Sequence, residues 1–231
     1  MTRQNPPASA PAAPPTAIIT PATRVRVFVD YWNFQITMNE KEGAAIGASN
    51  HKFSIDWIKL GPWLAQKACK IGGITNHIFD GVIIYASYNP KTEEGGKFSR
   101  WINTFLNRQP GIHVECFERR PKAPPKCPIC HREIPNCPHC KGKIIATAEK
   151  GVDTLIATDM IRLAWEEAYD LAVLASSDGD LVPAVKFLES KAYKVIQAGF
   201  PPKGVDLATA CWASFDVYQD REEIRRPPSP K

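Results

Sequence analysis

RVRVFVDYWNF, residues 24–34, and DLAVLASSDGDLVP, residues 170–183, are two apolar runs that close on aspartate. Each reads as a buried β-strand carrying acid at its carboxyl end. In an open parallel sheet, ligands sit just beyond the strand carboxyl ends, at the point where the strand order reverses. If the two strands are neighbours, Asp30, Asp178 and Asp180 converge in one crevice. Carboxylates crowded there repel one another unless a cation or a proton lies between them. The pattern points to a hard metal ion, and through it to phosphate chemistry.

The rest of the chain alternates in the same way. Strands are expected over residues 25–30, 77–87, 112–118, 171–176 and 194–198, with a possible edge strand at 215–218. Helices are expected over 55–70, capped by Ser54, and over 97–107, 152–168, 179–190 and 205–214. The polar, glycine-containing stretch 39–50 reads as a loop. Strands alternating with helices mean an α/β fold with a mostly parallel central sheet. No internal repeat is evident.

The chain has 231 residues, 44% hydrophobic and 23% charged, which suits a soluble domain with accessories. No apolar run approaches the roughly 20 residues of a membrane span. Residues 1–23 are rich in proline and alanine and read as a disordered lead. The main domain is expected over 24–220, with a basic insert at 119–143 and a flexible, frayed tail at 221–231. A cytoplasmic location follows from the lack of a secretion signal.

The net charge is +5, yet residues 119–143 hold seven basic residues and one acid, Glu133, so the remainder of the chain is slightly acidic. A compact basic module beside an acidic crevice suits a polyanion gripped in one place and cut in another. Within it, CPICHREIPNCPHC sets Cys127, Cys130, Cys137 and Cys140 as two CxxC pairs six residues apart. Two such knuckles complete a tetrahedral, closed and therefore structural Zn2+ site. Disulfides, an iron–sulfur site, or His131 or His139 replacing one cysteine are the alternatives. Lys122, Lys126, Lys141 and Lys143 on its stem are candidate contacts for nucleic acid. Cys69, Cys116 and Cys211 lie in apolar contexts and read as core.

A further acid comes from AEKGVDTLIATDM, where Asp153 falls in the first turn of the helix leading into the second aspartate-ended strand. Capping that helix is its plainer role. Asp159 lies six positions on, on another face; Asp170 and Asp80 stand at the wrong ends of their strands. Mg2+ or Mn2+ prefers oxygen ligands, and Asp30, Asp153, Asp178 and Asp180 could hold one or two such ions. Asn33, Ser177 and Lys150 are candidate substrate contacts, with simple exposure the plainer reading of Lys150. Gly179 is expected to let the chain turn tightly between two acids.

VFVDYWNFQ, KGVDTLIATDM, VLASSDGDLVPAVKFLESKAYKVIQAG and GVDLATACWASF together resemble the successive motifs of NYN domains, in the PIN-like nuclease group. The resemblance covers residues 25–220 apart from the cysteine insert. It implies a three-layer PIN-like fold with a central mostly parallel sheet, and a metal-dependent ribonuclease site at Asp30, Asp153, Asp178 and Asp180, with Asn33 as a polar partner; the small zinc-knuckle insertion is an added feature that the resemblance does not explain. Tyr31 and Trp32 depart from the small residues usual after the first aspartate, and either narrow the site or stack a base. RNA is the expected partner; the residues do not separate it from DNA, and they are silent on oligomeric state. The competing reading is a non-catalytic RNA-binding or adaptor protein. A haloacid-dehalogenase-type phosphohydrolase would need an acid two positions after Asp30, where Trp32 stands.

Overall fold

A computed structural model describes residues 21–48, 51–144 and 147–228. The proline-rich lead therefore lies outside the described residues except for its last three positions. Six parallel strands form one sheet in the order β3-β2-β1-β6-β7-β8. They are β1 (Thr23–Asp30), β2 (His77–Tyr88), β3 (Ile112–Glu118), β6 (Leu171–Ala175), β7 (Lys194–Gly199) and β8 (Ala213–Asp216). The chain lays down β1 to β3 on one side, then β6 to β8 on the other. The reversal falls between β1 and β6, which pair in parallel from Val25↔Leu171 to Val29↔Ala175.

Helices cover both faces. Residues of α1 (Tyr31–Ile46), α2 (Trp57–Ile71) and α3 (Glu93–Thr104) share one core cluster with Val25, Val27 and Val29. Residues of α4 (Val152–Trp165), α5 (Val182–Ser190) and α6 (Val205–Ala210) share the other with Phe28, Ile83 and Tyr85. Side chains alternate across a strand. Asp30 therefore follows Phe28 onto the α4 face, and Ser87 follows Tyr85 onto the same face. Val25, Val27, Phe28 and Val29 are fully buried. Each contributes about 1.5–3 kcal/mol by leaving water.

Four departures from the sequence expectation matter most, besides shifted ends at α3, α4, α6 and β8. Of the stretch expected as a loop, residues 39–46 belong to α1, which starts at once after β1 because the Asp30 carboxylate accepts the Asn33 N–H at 3.1 Å. Position 43 takes glycine because the chain turns over it as the helix ends: a Cβ there would sit 2.6 Å from the Ala48 carbonyl oxygen. Gly47, at φ 70°, ends the helix. The second helix is capped by Asp56 rather than Ser54, with N–H groups of Ile58 and Lys59 on its carboxylate. The insert contains a repeat: the Cys127 and Cys137 turns, ten residues apart, share their pattern. Cys127 N–H meets the Arg132 carbonyl at 2.8 Å and Cys137 N–H the Gly142 carbonyl at 2.8 Å. His131 and Lys141 both take left-handed φ, 57° and 58°.

The fourth departure is the C-terminal stretch. Arg221–Ile224, expected to fray, forms a 3₁₀ turn with Ile224 fully buried. Lys67 pairs with Asp220 at 2.8 Å and Glu223 at 3.0 Å. Trp63 donates its indole N–H to Glu223 at 2.7 Å. Glu42, on α1, is 5% exposed and accepts from Tyr218, Arg221 and Arg225. Burial works to raise its carboxyl, but those three hydrogen bonds outweigh it and hold the group below its ordinary 4.5.

A carboxyl depressed in the folded state adds stability above its unfolded value, and that stability fades as pH falls through the folded one. Glu42→Gln is expected to cost about 2 kcal/mol, at the low end for a broken buried pair because Arg221 and Arg225 stay partly exposed. It should also flatten the acid limb of the stability profile below about pH 4.5. Urea midpoints at pH 7 and pH 4 check this; a midpoint unchanged at pH 7 would show that the tail is not held through Glu42.

Candidate active site

Acids gather at the carboxyl edge of the sheet, where β1 and β6 part. An oxygen from each of Asp153, Asp178 and Asp180 lies within 4.8 Å of the other two. Asp153 sits in the first turn of α4, whose N-cap is Gly151 at φ 87° with no side-chain capping bond. Asp153 is therefore not the N-cap, and compensation of the helix dipole is the plainer role that its place in the first turn leaves it. Asp178 takes the Asp180 N–H on its carboxylate at 2.9 Å and gives its own N–H to the Ser176 hydroxyl at 3.1 Å. That bond opens the 3₁₀ turn Gly179–Leu181. Gly179 is not required for the turn by space, since a Cβ there meets nothing within 4 Å.

Asp30 stands beside this trio rather than in it. It is 5% exposed and caps α1. Burial pushes its carboxyl up to about 7 against the pull of the Asn33 N–H, and the charges of Asp153, Glu149 and Asp178 add to the rise. Asp153 is also raised, by burial first and then by Asp178, Glu149 and Asp180. Mutual repulsion of this kind is what a divalent cation relieves. The donor set, oxygens only and crowded within ligand reach of one another, fits Mg2+ or Mn2+.

The remaining expected residues divide. Asn33 turns its side-chain oxygen to the Ser177 N–H at 2.9 Å, tying the start of α1 to the loop after β6. It is a brace across the reversal point. The Ser177 hydroxyl oxygen is buried without a partner. Gly204, at φ 71°, backs onto it; a Cβ there would be 2.8 Å from the Ser177 Cα. Lys150 is exposed, as are Lys122, Lys126, Lys141 and Lys143 on the insert. Tyr31 is core, stacked on Trp57 at 4.3 Å and 19°. Trp32 is half-buried and donates its indole N–H to the Ser87 carbonyl at 2.6 Å. Asp170 and Asp80, excluded by their places on their strands, are occupied by Arg24 at 2.7 Å and by Arg26; Asp159, kept as a candidate on another face of α4, is occupied by the Tyr85 hydroxyl at 3.0 Å and Arg162 at 3.1 Å.

Sequence reasoning missed Glu149. It accepts from the Ser87 hydroxyl and pairs with Arg119 at 3.4 Å. Arg119 also donates to the Ser87 hydroxyl at 2.8 Å and lies 5.2 Å over the Trp32 ring. The signal was its position in AEKGVD, four residues before Asp153 and on the last turn of the returning insert. The insert itself stands on a two-residue antiparallel stem, β4 (Arg120–Pro121) with β5 (Thr147–Ala148). N–H groups of Cys130 and Ile129, then the Cys130 thiol, hold the Cys127 thiol below its ordinary value. Those of Cys140 and His139, then the Cys140 thiol, do the same for Cys137. Among the described residues, the sulfurs of the two knuckles are not gathered into one metal-sized group.

A family model for the NYN domain matches residues 24–215, and the chain belongs to that family. Its membership puts the chain in the PIN-like nuclease superfamily, and the six-stranded three-layer fold agrees. No curated protein matches. Among solved structures, a Vibrio parahaemolyticus RIMD 2210633 protein of unknown function is 16% identical, covers 84% of this chain and 94% of its own, and has a TM-score of 0.49. The arabinose-binding protein AraP of Geobacillus stearothermophilus is 11% identical, with 84% and 81% covered and a TM-score of 0.28. Among the described residues no helix is long and apolar enough to cross a membrane.

The crowding has a measurable cost. In metal-free buffer Asp153→Asn is expected to raise stability by about 0.5–1 kcal/mol, because one of several repelling charges is gone. Saturating Mn2+ should stabilise the native chain by RT ln(1 + [L]/Kd), about 2.7 kcal/mol at a hundredfold excess over Kd, and the variant far less. Thermal melts with and without Mn2+ read both effects. A variant that gains as much from Mn2+ as the native chain would remove Asp153 from the metal set.

Proposed function

Taking the chain as an NYN-domain protein, we propose that it is a Mg2+- or Mn2+-dependent endoribonuclease. The observation that carries this reading is the meeting of Asp153, Asp178 and Asp180 at the reversal point of the sheet, with Asp30 beside them. Those four carboxylates would hold the ion. When bound, the metal polarises the phosphodiester, helps to ionise a water and stabilises the leaving oxygen. The chain's own groups set the stage. The Asp30–Asn33 cap fixes the β1–α1 corner, and the Asn33–Ser177 bond fixes the loop that bears Asp178 and Asp180. Lys150 and the exposed lysines of the insert, Lys122, Lys126, Lys141 and Lys143, supply the positive field that draws an RNA backbone.

The insert is read as a structural Zn2+ site of Cys127, Cys130, Cys137 and Cys140, a reading that requires the two knuckles to draw together on the ion. Two features support it. The two knuckles repeat the same backbone turn, and in each the N–H groups aim at the first cysteine sulfur and favour its thiolate, the form a metal takes. A reducing cytoplasm, where such thiols stay free of disulfides, is the setting this reading requires.

A labelled RNA pool incubated with Mg2+, Mn2+ or chelator tests the catalytic half. Cleavage is expected only with metal, and Asp178→Asn should slow it by about a hundredfold or more. Equal cleavage in chelator, or in the variant, would sink the metal mechanism; binding without cleavage would favour an adaptor. Elemental analysis of the purified chain tests the other half. One Zn2+ equivalent is expected, lost in Cys127→Ser/Cys137→Ser, and a native chain free of zinc would refute the assignment.

A further inference from the structure

Beside the aspartate centre lies a cleft that gathers unneutralised cations. It runs between residues 89–91, which follow β2, and the root of the insert, where Phe117, Arg119 and Arg120 face Lys150 across about 560 Å3. Because β1, β2 and β3 are parallel, the cleft opens at the same carboxyl edge as Asp30. β3 lies two strands from β1, about 10 Å away. Lys91, Arg120 and Lys150 are exposed, and among the described residues none of the three has an ion-pair partner. The one carboxylate of the cleft, Glu118, accepts from the Tyr88 hydroxyl at 2.9 Å and keeps its charge, against which stand Lys91, Arg120 and Lys150. Phe117 offers an aromatic face, 37% exposed. Arg119 belongs to both regions: it lines the cleft and pairs with Glu149, whose charge acts on Asp30 and Asp153.

Cations spaced along a groove with an exposed ring among them match a single nucleic-acid strand. Its phosphates meet the charges, and an unstacked base meets the ring. A duplex keeps its bases stacked inside and leaves such a ring unused. We infer that this cleft seats the phosphodiester backbone of a single RNA strand next to the bond to be cut, with Phe117 stacking a base. The inference rests on the nuclease reading for its orientation toward the aspartates. Lys91 and Phe117 lie outside the cysteine knuckles, so the seat is built by the domain and the root of the insert together.

Binding of a fluorescein-labelled short single-stranded RNA to the full chain, read by anisotropy in an Asp178→Asn background that keeps the strand intact, tests it. Lys91→Ala/Arg120→Ala/Lys150→Ala is expected to weaken binding by about thirtyfold and to lower the slope of log affinity against log salt by about 2, from three lost phosphate contacts. Phe117→Ala should weaken it by about tenfold with the slope unchanged, and should leave binding of a duplex of the same sequence as it was. All four side chains are exposed, and matching thermal melts will establish that the variants are folded. A three-site variant with native affinity and slope would overturn the cleft, as would a Phe117→Ala effect equal on strand and duplex. A native preference for the corresponding DNA strand would overturn RNA as the occupant. The two readings fail separately: if the chain is no nuclease, native protein leaves RNA uncut while the three-site variant still loses binding. If only the cleft is wrong, native cleavage persists and the variant binds as before.

Discussion

The structure turns on the parallel pairing of β1 with β6. It brings two strands far apart in sequence side by side and sends the chain away from their ends in opposite directions, leaving a crevice that neither connection fills. Everything at the site is fixed relative to that seam. Alternation along β1 puts Asp30 on the α4 face, and the Asp30 cap starts α1 without a linker. Asn33, one turn in, reaches back across the seam to the Ser177 N–H. One hydrogen bond thus joins the corner that carries the first acid to the loop that carries two more.

Such a seam works against stability. Asp30 and Asp153 are both pushed upward by burial and by their neighbours' charges. Several acids elsewhere are neutralised, Asp170 by Arg24, Asp80 by Arg26 and Glu42 by two arginines. Asp153, Asp178 and Asp180 instead crowd one another, and a cation from solution is what would relieve them. Two cores, one under each helical layer, offset the repulsion by removing apolar surface from water.

The central strands were legible because a strand buried on both faces needs an unbroken apolar run. Residues 112–118, an edge strand of alternating burial, were also read to the residue; of the four acids proposed for the site, Asp153, Asp178 and Asp180 meet and Asp30 stands beside them. What failed was governed largely by contacts that the local sequence does not show. Residues 39–46 read as a loop because of their polar and glycine residues, while the Asp30 cap starts α1 well before them. Ile224 is buried in the core cluster that holds residues of α2, and Arg221 and Arg225 are held by a glutamate on α1, so a charged proline-rich tail looked free when read alone. The ten-residue repeat of the knuckles was legible too, since 125–134 and 135–144 share Pro, Cys, Pro, Cys and Ile at matching positions, but it was read only as a pair of metal-ligand motifs. Glu149 was passed over because its meaning lies in Ser87 and Arg119, neither close to it in sequence.

The insert's placement follows from the same seam. It leaves from the end of β3 and returns into α4, the helix whose first turn carries Asp153. Its two ends are closed by the β4–β5 pairing and by the Arg119–Glu149 ion pair, which lies about a third exposed and is held in register by Ser87. A bulky module attached anywhere else on the sheet would join the site only through the flexibility of a loop. Attached here, its root is part of the wall that holds the acids. Movement of the knuckles must therefore be transmitted to Glu149 and to the start of α4, or be absorbed in the few residues between the stem and the first cysteine. Residues 121–126, PKAPPK, are proline-rich and short, and proline restricts each link to a narrow range of φ. What the structure fixes at the edge of the sheet that carries the aspartates is therefore the root of the insert, held by the β4–β5 pairing and the Arg119–Glu149 ion pair.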